Sequence, residues 1–386
     1  MFVDRDTVLI LAGSGRALAE SARRGGYRVW VYDGFSDRDT LAVARCRRIR
    51  QGFPRLGEDA FIEEIAALPE PPRGVVYGGG LEEADSLLRR LSARWRLFGN
   101  DPCVLERLRD PRRFFALLDS LGIPYPEVRF TPPDSAAGKG WLVKRAGSCG
   151  GLGTAHFDPE FSVADSASYY QRHIEGSVMS ILFIADGERH RTLGYNRLGM
   201  KSSNPPAPFL YTGAVGQVSL SVAQRRPLQE MVARLVSRLG LRGVNGLDFI
   251  LNDDGILVLD LNPRPTATLE LYEHLVSDGW IKHHIRACLG VLPEVPRAVS
   301  AAVCGHQIVY APRSLEIPAA MKWPQWAKDR PAAGARIVPG QPLCSLFARG
   351  GGTHEVEALL RRYQDEILES LYAASSRPDA RRKVAV

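Results

Sequence analysis

A pair of aspartates in the middle of the chain could bind a metal ion. The sequence around Gly255 predicts two β-strands joined by a tight turn. A three-residue loop with Gly255 in the left-handed conformation pairs Asn252 with Ile256, and counting back along this register sets Asp248 directly opposite Asp260. We therefore expect the two carboxylates on the same face of one hairpin.

The two faces of this hairpin differ in chemistry. Asn262 follows Asp260 by two residues and joins the acidic face. Opposed carboxylates repel each other, so a buried pair needs a cation, and oxygen-only ligands favour Mg²⁺, with Mn²⁺ as a substitute. The alternative is an edge hairpin with both acids in water, which the apolar reverse face disfavours. That predicted face consists of Leu247, Phe249, Leu251, Leu257, Leu259 and Leu261.

Arg264 lies just beyond the second strand. Its guanidinium could neutralise the acidic site or clamp an anion with two parallel hydrogen bonds. A structural salt bridge to one of the aspartates is the alternative interpretation.

A second feature that could bind phosphates precedes the hairpin by about a hundred residues. Lys144 ends a predicted strand, and a loop rich in glycine and serine follows it as far as Gly153. An ammonium and several backbone N–H groups can surround phosphates in such a loop. The loop is not a Walker A motif, because the lysine precedes the glycines. A flexible surface hairpin is the alternative.

The elements that position these residues follow from the hydrophobic pattern. Residues 7 to 98 alternate short strands with helices, which predicts a small parallel α/β domain. The turn Gly13-Ser14-Gly15, with Asp33 after the second strand, partly fits a dinucleotide site, but Leu18 occupies the third glycine position. A tight strand-to-helix turn explains the same residues. The predicted strands here are 7–11, 27–32, 74–77 and 96–98.

The remaining chain alternates helices with antiparallel strands. A helix over 100–121 should break at Asp110-Pro111, and the apolar spacing over 224–239 predicts an amphipathic core helix. Short strands with Pro/Gly turns follow residue 296. Further predicted elements are strands at 141–144, 169–174 and 179–185, and a helix at 355–372.

Composition narrows the classes of partner. The net charge is +7, but the basic residues are scattered along the chain, so we predict no nucleic-acid partner. No stretch approaches the roughly 20 apolar residues that span a bilayer, so we expect no membrane partner and a cytoplasmic location. The six cysteines form no CxxC pair and are interpreted as reduced thiols.

Three motifs in this order resemble the ATP-grasp superfamily. They are Lys144 with its glycine loop, the segment 170–176 (YQRHIEG), and Asp248 followed by Asp260-Leu261-Asn262-Pro263-Arg264. The resemblance covers about residues 7 to 290 and is nearest to the predicted carboligases related to biotin carboxylase. The spacing from Asp248 to Arg264 is its most diagnostic part.

The resemblance implies an α/β fold that is α+β in the grasp region. A Rossmann-like pre-grasp domain (1–100) would precede the ATP-grasp domain (101–295), whose ATP-lid subdomain is about 125–190. A small C-terminal β-rich module (296–374) and a flexible tail (375–386) would follow.

The resemblance also implies roles for individual residues. Lys144 would contact the α- and β-phosphates of ATP and Arg264 would face an acyl phosphate, which makes these two the catalytic residues. Asp248, Asp260 and Asn262 would hold Mg²⁺. The nucleotide-binding residues so implied are Lys144, Gly147, Ser148, Gly150, Gly151, Gly153, Gln171, His173, Ile174 and Glu175.

The sequence departs from the family pattern in two places. Asp110-Pro111 stands where a lysine usually follows an aspartate, which leaves Arg109 or Arg112 as substitutes. Val178 lies near the place of the acid that commonly binds the ribose, with Glu175 as a nearby candidate.

The function so implied is an ATP-dependent ligase. It would activate a carboxylate as an acyl phosphate and transfer it to an amine on a small metabolite, in a pathway such as methanopterin- or methanofuran-type cofactor synthesis. The resemblance also admits a homodimer. The alternatives are a carboxylase that activates bicarbonate, a non-catalytic ATP or ADP sensor, and an NAD-dependent dehydrogenase, which would leave the acidic hairpin unexplained. Substrate contacts are expected from loops 78–80, 199–211 and 266–270.

Overall fold

The N-terminal part of the protein is a parallel sheet flanked by helices. The computed structural model describes residues 6–133, 140–160, 167–199, 207–296 and 302–375, so the predicted tail, except for residue 375, lies outside the described residues. The strands run in the order β3-β2-β1-β4-β5, and the predicted strands of this region are confirmed. The elements are β1 (Thr7–Leu11), α1 (Arg16–Arg24), β2 (Arg28–Asp33), α2 (Arg38–Val43), β3 (Arg45–Arg48), α3 (Glu58–Ala66), β4 (Gly74–Tyr77), α4 (Asp85–Arg94) and β5 (Arg96–Phe98).

The glycine turn after β1 is a structural joint and not a dinucleotide site. Asp33 is fully buried, and its side chain accepts hydrogen bonds from the backbone N–H groups of Gly15, Phe35 and Ser36. The Gly13 N–H donates to the carbonyl oxygen of Gly79 at 2.6 Å, so a second glycine turn occupies the space beside the first. Asp33 therefore has no exposed oxygen for a ribose.

Two short helices and a small antiparallel sheet come next. The predicted break in the helix is confirmed, because Asp110 ends α5 (Pro102–Arg109) and caps α6 (Pro111–Ser120) through the N–H groups of Arg112 and Arg113. The small sheet, called the lid sheet below, has the strand order β6-β9-β7-β8 and packs around Trp141, Phe157 and Tyr170. Its strands are β6 (Val128–Arg129), β7 (Trp141–Arg145), β8 (Thr154–His156) and β9 (Ser168–Arg172).

A large antiparallel sheet forms the centre of the molecule. In the part of the chain that the structure describes, its order is β14-β13-β10-β11-β12-β15-β19-β17, so strands beyond residue 302 continue the sheet of the central region. The elements are β10 (Ser177–Asp186), β11 (His190–Leu198), β12 (Gly213–Val215), α7 (Val222–Leu239), β13 (Arg242–Asn252), β14 (Gly255–Asn262), a 3₁₀ segment (Ala267–Leu275), α8 (Trp280–Cys288), β15 (Val303–Tyr310), β16 (Leu315–Glu316), β17 (Ala327–Lys328), β18 (Arg336–Ile337), β19 (Pro342–Gly350) and α9 (Thr353–Ser375).

The two faces of the large sheet are buried against different partners. On one face, Ile181 and Phe183 of β10 pack with α6 and α7. On the other face, Leu182 and Ile184 pack with α1, α8 and the N-terminal sheet. Helix α7 has the predicted amphipathic pattern, and a capping box at Ser221 fixes its start. In the described residues, no helix is long and apolar enough to cross a membrane.

A buried cluster of charges joins three distant parts of the chain. Arg16, at the start of α1, is only 2% exposed. Its guanidinium makes two hydrogen bonds of 2.6 Å to Glu270 of the 3₁₀ segment, one of 2.7 Å to Asp329, and one of 3.1 Å to Glu20. Such a cluster is stable only when every charge keeps its partners. It therefore fixes the N-terminal sheet relative to the large sheet.

Candidate active site

The acidic hairpin consists of β13 and β14. Asp248 pairs directly with Asp260, as the sequence predicts, but by a different route. The turn is one residue tighter than expected and pairs Asn252 with Gly255, and a bulge at Leu259 restores the register before the aspartates. The shorter turn and the extra residue of the bulge offset each other, so the two aspartates are paired as predicted.

The bulge changes which side chains of β14 enter the core. On β13 and at Leu261 the apolar face is as predicted. Leu257 and Leu259 were expected in the core, but Ile256 and Val258 lie there instead, because the tighter turn shifts the alternation by one residue. Leu259 faces the cavity described below.

The carboxylates of the pair are close enough to disturb each other. Burial first, and then the charge of Asp260, raises the pKa of Asp248 to about 7. Asp260 keeps exposed surface because it faces the cavity. The surrounding protein nevertheless removes enough water from its carboxylate to raise the pKa of Asp260 as well. Asn262, which also lines the cavity, donates a hydrogen bond of 3.0 Å from its amide nitrogen to the Asp248 carboxylate. The atoms of these three side chains that could bind a metal ion are all oxygens, as a Mg²⁺ site requires.

Lys144 faces the acidic pair from the lid sheet. Its ammonium donates to the side-chain oxygen of Gln171 at 3.1 Å. Burial lowers the pKa of Lys144, although the charges of Asp260 and Asp248 act in the opposite direction. The lysine therefore supplies positive charge to a cavity that carries two carboxylates.

Arg264 is not bound to the aspartates in a structural salt bridge. Its Nη2 lies 2.7 Å from Oε1 of Glu82, a residue of the N-terminal domain. The guanidinium lies flat against Gly79, where a Cβ atom would be 3.2 Å from Cζ. The side chain is 15% exposed and keeps contact with the cavity.

The glycine loop connects β7 and β8 and folds over the cavity. Gly150 and Gly151 have φ angles of 60° and 77°, which glycine adopts without strain. The carbonyl of Gly150 accepts from the Tyr211 N–H at 2.8 Å, and a Cβ on Gly151 would lie 1.8 Å from the Phe209 carbonyl oxygen. The loop thus seals directly against the segment 208–211 on the opposite side.

The YQRHIEG segment spans the end of β9 and the connection to the large sheet. Gln171 is 1% exposed, and its amide nitrogen has no partner in the described residues. His173 makes an edge contact with His156, with ring centroids 5.4 Å apart. Residues 171–174 and Gly176 line one end of the cavity, whereas Tyr170 and Glu175 do not line it.

One cavity of about 840 Å³ brings these residues together. It lies between the lid sheet, the large sheet and the N-terminal domain. Of the residues singled out from the sequence, Gly153 and Glu175 do not line it; Gly153 closes the base of the loop by accepting from the Arg145 N–H at 2.9 Å. Of the predicted substrate loops, residues 78, 199 and 208–211 line it, whereas 266–270 does not. The predicted site residues that line it are Lys144, Gly147, Ser148, Gly150, Gly151, Gln171, His173, Ile174, Asp248, Asp260, Asn262 and Arg264.

The structure separates the two substitutes for the missing lysine. Arg109 lines the cavity and pairs with Asp85 at 2.5 Å. Arg112 stacks on Phe130 at 4.1 Å and is not among the cavity-lining residues. Of these two arginines, Arg109 is therefore the one that lines the cavity.

Two further residues of the site escaped the sequence interpretation. Glu82 is the second residue after the triple glycine 78–80, and nothing in the neighbouring sequence marks it as a partner of Arg264. Tyr169 packs below Lys144, with the ammonium 5.9 Å from its ring centroid. Its alternation with Gln171 on β9 was the one signal that could have suggested it.

Known proteins resemble this chain over part or most of its length. Residues 109–268 match the model of the ATP-grasp domain. The large chain of the arginine-specific carbamoyl phosphate synthase of Bacillus subtilis is 24% identical over 227 residues, which are 53% of this chain and 21% of that protein. The chain thus spans about a fifth of the length of this curated relative.

Several solved structures have a similar fold over most of the chain. The N5-carboxyaminoimidazole ribonucleotide synthetase of Thermus thermophilus superposes with a TM-score of 0.68 at 17% identity and covers 96% of this chain and 99% of its own. The L-amino acid ligase of Bacillus licheniformis superposes with a TM-score of 0.70 at 17% identity and covers 94% of this chain and 98% of its own. The biotin carboxylase domain of a Hydrogenobacter thermophilus 2-oxoglutarate carboxylase was solved with MgADP and bicarbonate. It superposes with a TM-score of 0.70 at 13% identity and covers 95% of this chain and 89% of its own. The chain therefore contains an ATP-grasp domain and has the ATP-grasp fold.

Proposed function

We propose that the protein is an ATP-dependent ligase that activates a carboxylate as an acyl phosphate and transfers the acyl group to an amine. One observation carries the proposal. A paired carboxylate site, Asp248 with Asp260, faces two cations, Lys144 and Arg264, across a single cavity that a glycine loop covers. Phosphoryl transfer needs this combination of opposite charges around the transferred group.

The acidic pair fits a magnesium ion. Asp248 and Asp260 are directly opposed, and burial raises the pKa of both, which is the arrangement that a divalent cation would relieve. Asp248, Asp260 and Asn262 would hold the ion. When bound, Mg²⁺ neutralises charge on the transferred phosphoryl group and orients it.

The nucleotide occupies the end of the cavity between the two sheets. Residues 171–174 border the base, with the unpaired amide nitrogen of Gln171 as a donor to it. Lys144 and the glycine loop lie on the phosphate side, and Arg109 takes the place of the absent lysine. A carboxylate bound beside Arg264 then attacks the γ-phosphoryl group in line, with the bond to ADP breaking as the acyl phosphate forms.

The contact between the glycine loop and the segment 208–211 protects the intermediate. An acyl phosphate is hydrolysed by water, and closure of the loop excludes water from the reacting centre. The backbone hydrogen bond from the Tyr211 N–H to the Gly150 carbonyl oxygen holds the loop in this position. The amine then displaces phosphate from the acyl carbon.

A carboxylase is the second candidate. Two of the proteins with similar structures are a synthetase and a carboxylase domain whose names or bound ligands refer to carboxylated products or bicarbonate. Bicarbonate would then be the activated carboxylate, and the rest of the site would act unchanged.

The test is phosphate release from Mg-ATP in the presence of a panel of carboxylates. The panel includes bicarbonate and the proteinogenic amino acids, each offered with and without ammonium, and products are identified by mass. Phosphate release that depends on one carboxylate supports the ligase. Stabilisation by Mg-ATP in a thermal-shift titration, without turnover under any condition, would favour a nucleotide sensor and refute the ligase.

A further inference from the structure

The Glu82 carboxylate lines the same cavity, beside Arg264. Its Oε1 is buried against Arg264 at 2.7 Å, and its Oε2 accepts from the Gly80 N–H at 2.7 Å. The side chain is 23% exposed and lines the cavity. A carboxylate has about four acceptor positions, so Glu82 can accept a further hydrogen bond from the cavity side.

Glu82 also lies where three parts of the molecule meet. It belongs to the N-terminal domain, Arg264 follows the acidic hairpin, and Cys149 belongs to the glycine loop. Burial, together with the nearby Glu82 carboxylate, raises the pKa of the Cys149 thiol to about 11. A group that reaches Glu82 therefore lies beside Arg264 and beneath the closed loop.

This position has a consequence for the second substrate, which rests on the proposed function. An acyl phosphate beside Arg264 would share the single positive charge of this guanidinium with the Glu82 carboxylate, so a second cation between the two anions would be favourable. An amine arrives from water as an ammonium ion and must lose a proton before its nitrogen can attack. Glu82 is the cavity-lining carboxylate that lies nearest to Arg264 without being part of the acidic pair.

We propose that Glu82 binds the ammonium form of the nucleophile and removes its proton. The neutral nitrogen then attacks the acyl carbon, a C–N bond forms, and the bond from the acyl carbon to the phosphate oxygen breaks with its electron pair leaving on phosphate. Glu82 holds the first proton and later returns it to water, and the departing phosphate takes the second proton from nitrogen. Glu82 is thus a catalytic residue of the second step and takes no part in forming the acyl phosphate.

The experiment compares two small nucleophiles on the Glu82→Gln variant. Ammonium must lose a proton before it attacks, whereas hydroxylamine is already unprotonated at neutral pH. Both are offered with Mg-ATP and the carboxylate found active with the wild-type protein, and amide and hydroxamate are measured. Glu83→Gln is the matched control, because the neighbouring Glu83 is exposed and does not line the main cavity.

In Glu82→Gln, amide formation from ammonium should fall by roughly 10²-fold or more, the scale of general base catalysis, while hydroxamate formation should stay within about threefold. Glu83→Gln should match wild type with both nucleophiles. An equal loss with both nucleophiles would overturn the inference and reduce Glu82 to a positioning residue for Arg264. A wild-type protein that forms neither amide nor hydroxamate with any carboxylate of the panel would refute the ligase itself, which is a different result from an active enzyme indifferent to Glu82.

Discussion

The paired carboxylates make opposite predictions for stability and for catalysis when one charge is removed. In the absence of metal, Asp260→Asn deletes a repulsion with Asp248 and should leave the fold as stable as wild type or slightly more stable. The same change removes a ligand of the proposed Mg²⁺ site. Turnover should therefore fall by roughly 10²-fold or more, the scale of losing one electrostatic stabiliser.

The size of the stability effect follows from the geometry. Directly opposed side chains lie roughly 5 Å apart, where two unit charges repel by about 3 kcal/mol at an effective dielectric constant of about 20. The exposure of Asp260 to the cavity weakens this repulsion, and the lost attraction to Lys144 and Arg264 offsets part of it. We expect a net change of no more than about 1 kcal/mol in the metal-free protein.

The assay measures urea unfolding of the wild type and of Asp260→Asn in EDTA, and then with Mg²⁺ and ADP. A ligand at 100 times its Kd stabilises a protein by about 2.7 kcal/mol, so the wild type should gain this amount and the variant clearly less. Turnover is measured on the same preparations. Asp254→Asn, in the exposed turn of the same hairpin, is the control for a charge change outside the cavity.

One outcome would refute the reasoning. If Asp260 belonged to a buried structural salt bridge, its removal would leave a cation unpaired and cost about 3 kcal/mol or more. A loss of that size in EDTA, with turnover preserved, would eliminate the metal site. The observed pairing of Arg264 with Glu82 argues against this outcome.

Three other predictions concern single residues. Lys144→Ala should weaken Mg-ATP binding and lower kcat/KM together, because in the proposed site its ammonium would contact phosphates in both the ground state and the transition state. Calorimetry measures the binding and steady-state kinetics the turnover, and unchanged values would remove Lys144 from the site. Arg109→Ala should raise the Kd for Mg-ATP about tenfold, a loss of about 1.4 kcal/mol, whereas Arg112→Ala should leave it unchanged, and equal effects in calorimetry would contradict the assignment of Arg109. Burial lowers the pKa of His284 from 6.5 to about 4, so the unfolded chain takes up the proton first and stability should fall as pH drops through this window. The slope of unfolding free energy against pH should be smaller in His284→Gln, because His284 can change the stability of the wild type by on the order of 3 kcal/mol across this pH window. Identical slopes in the two proteins would show that His284 is not buried as a neutral ring.

The sequence predicted best where a long apolar pattern decides the structure. The strands of the N-terminal sheet and the helix now bounded at Val222–Leu239 were placed within one or two residues. Their side chains alternate or repeat over enough residues to outweigh local exceptions. The short strand β3 (Arg45–Arg48) was missed, because its sequence RCRR has no apolar alternation and only its pairing with β2 makes it a strand.

The acidic hairpin shows how a correct result can follow from an inexact register. The turn was expected to hold three residues, and the bulge at Leu259 was not foreseen, because a leucine carries no signal for a bulge. The opposed aspartates were confirmed because the two errors have opposite signs. The core positions between them, Leu257 and Leu259, were wrong for the same reason.

Partnerships between distant segments could not be read from the sequence. Arg264 and Glu82 are 182 residues apart, and either could have paired with many other charges. The alternative of a salt bridge from Arg264 to an aspartate considered only the neighbours of Arg264 in the sequence. Such pairs depend on how the sheets dock, which local patterns do not encode.

The buried cluster around Arg16 limits which segments of the protein can be exchanged with those of another protein. Replacing the N-terminal region with one that lacks an arginine at the start of its first helix would leave Glu270 and Asp329 without their shared cation. Since Asp329 lies beyond residue 302, a fragment that ends after the central region would leave buried Arg16 without one of its acidic partners. Functional chimeras of this chain should therefore transfer Arg16, Glu270 and Asp329 as one unit.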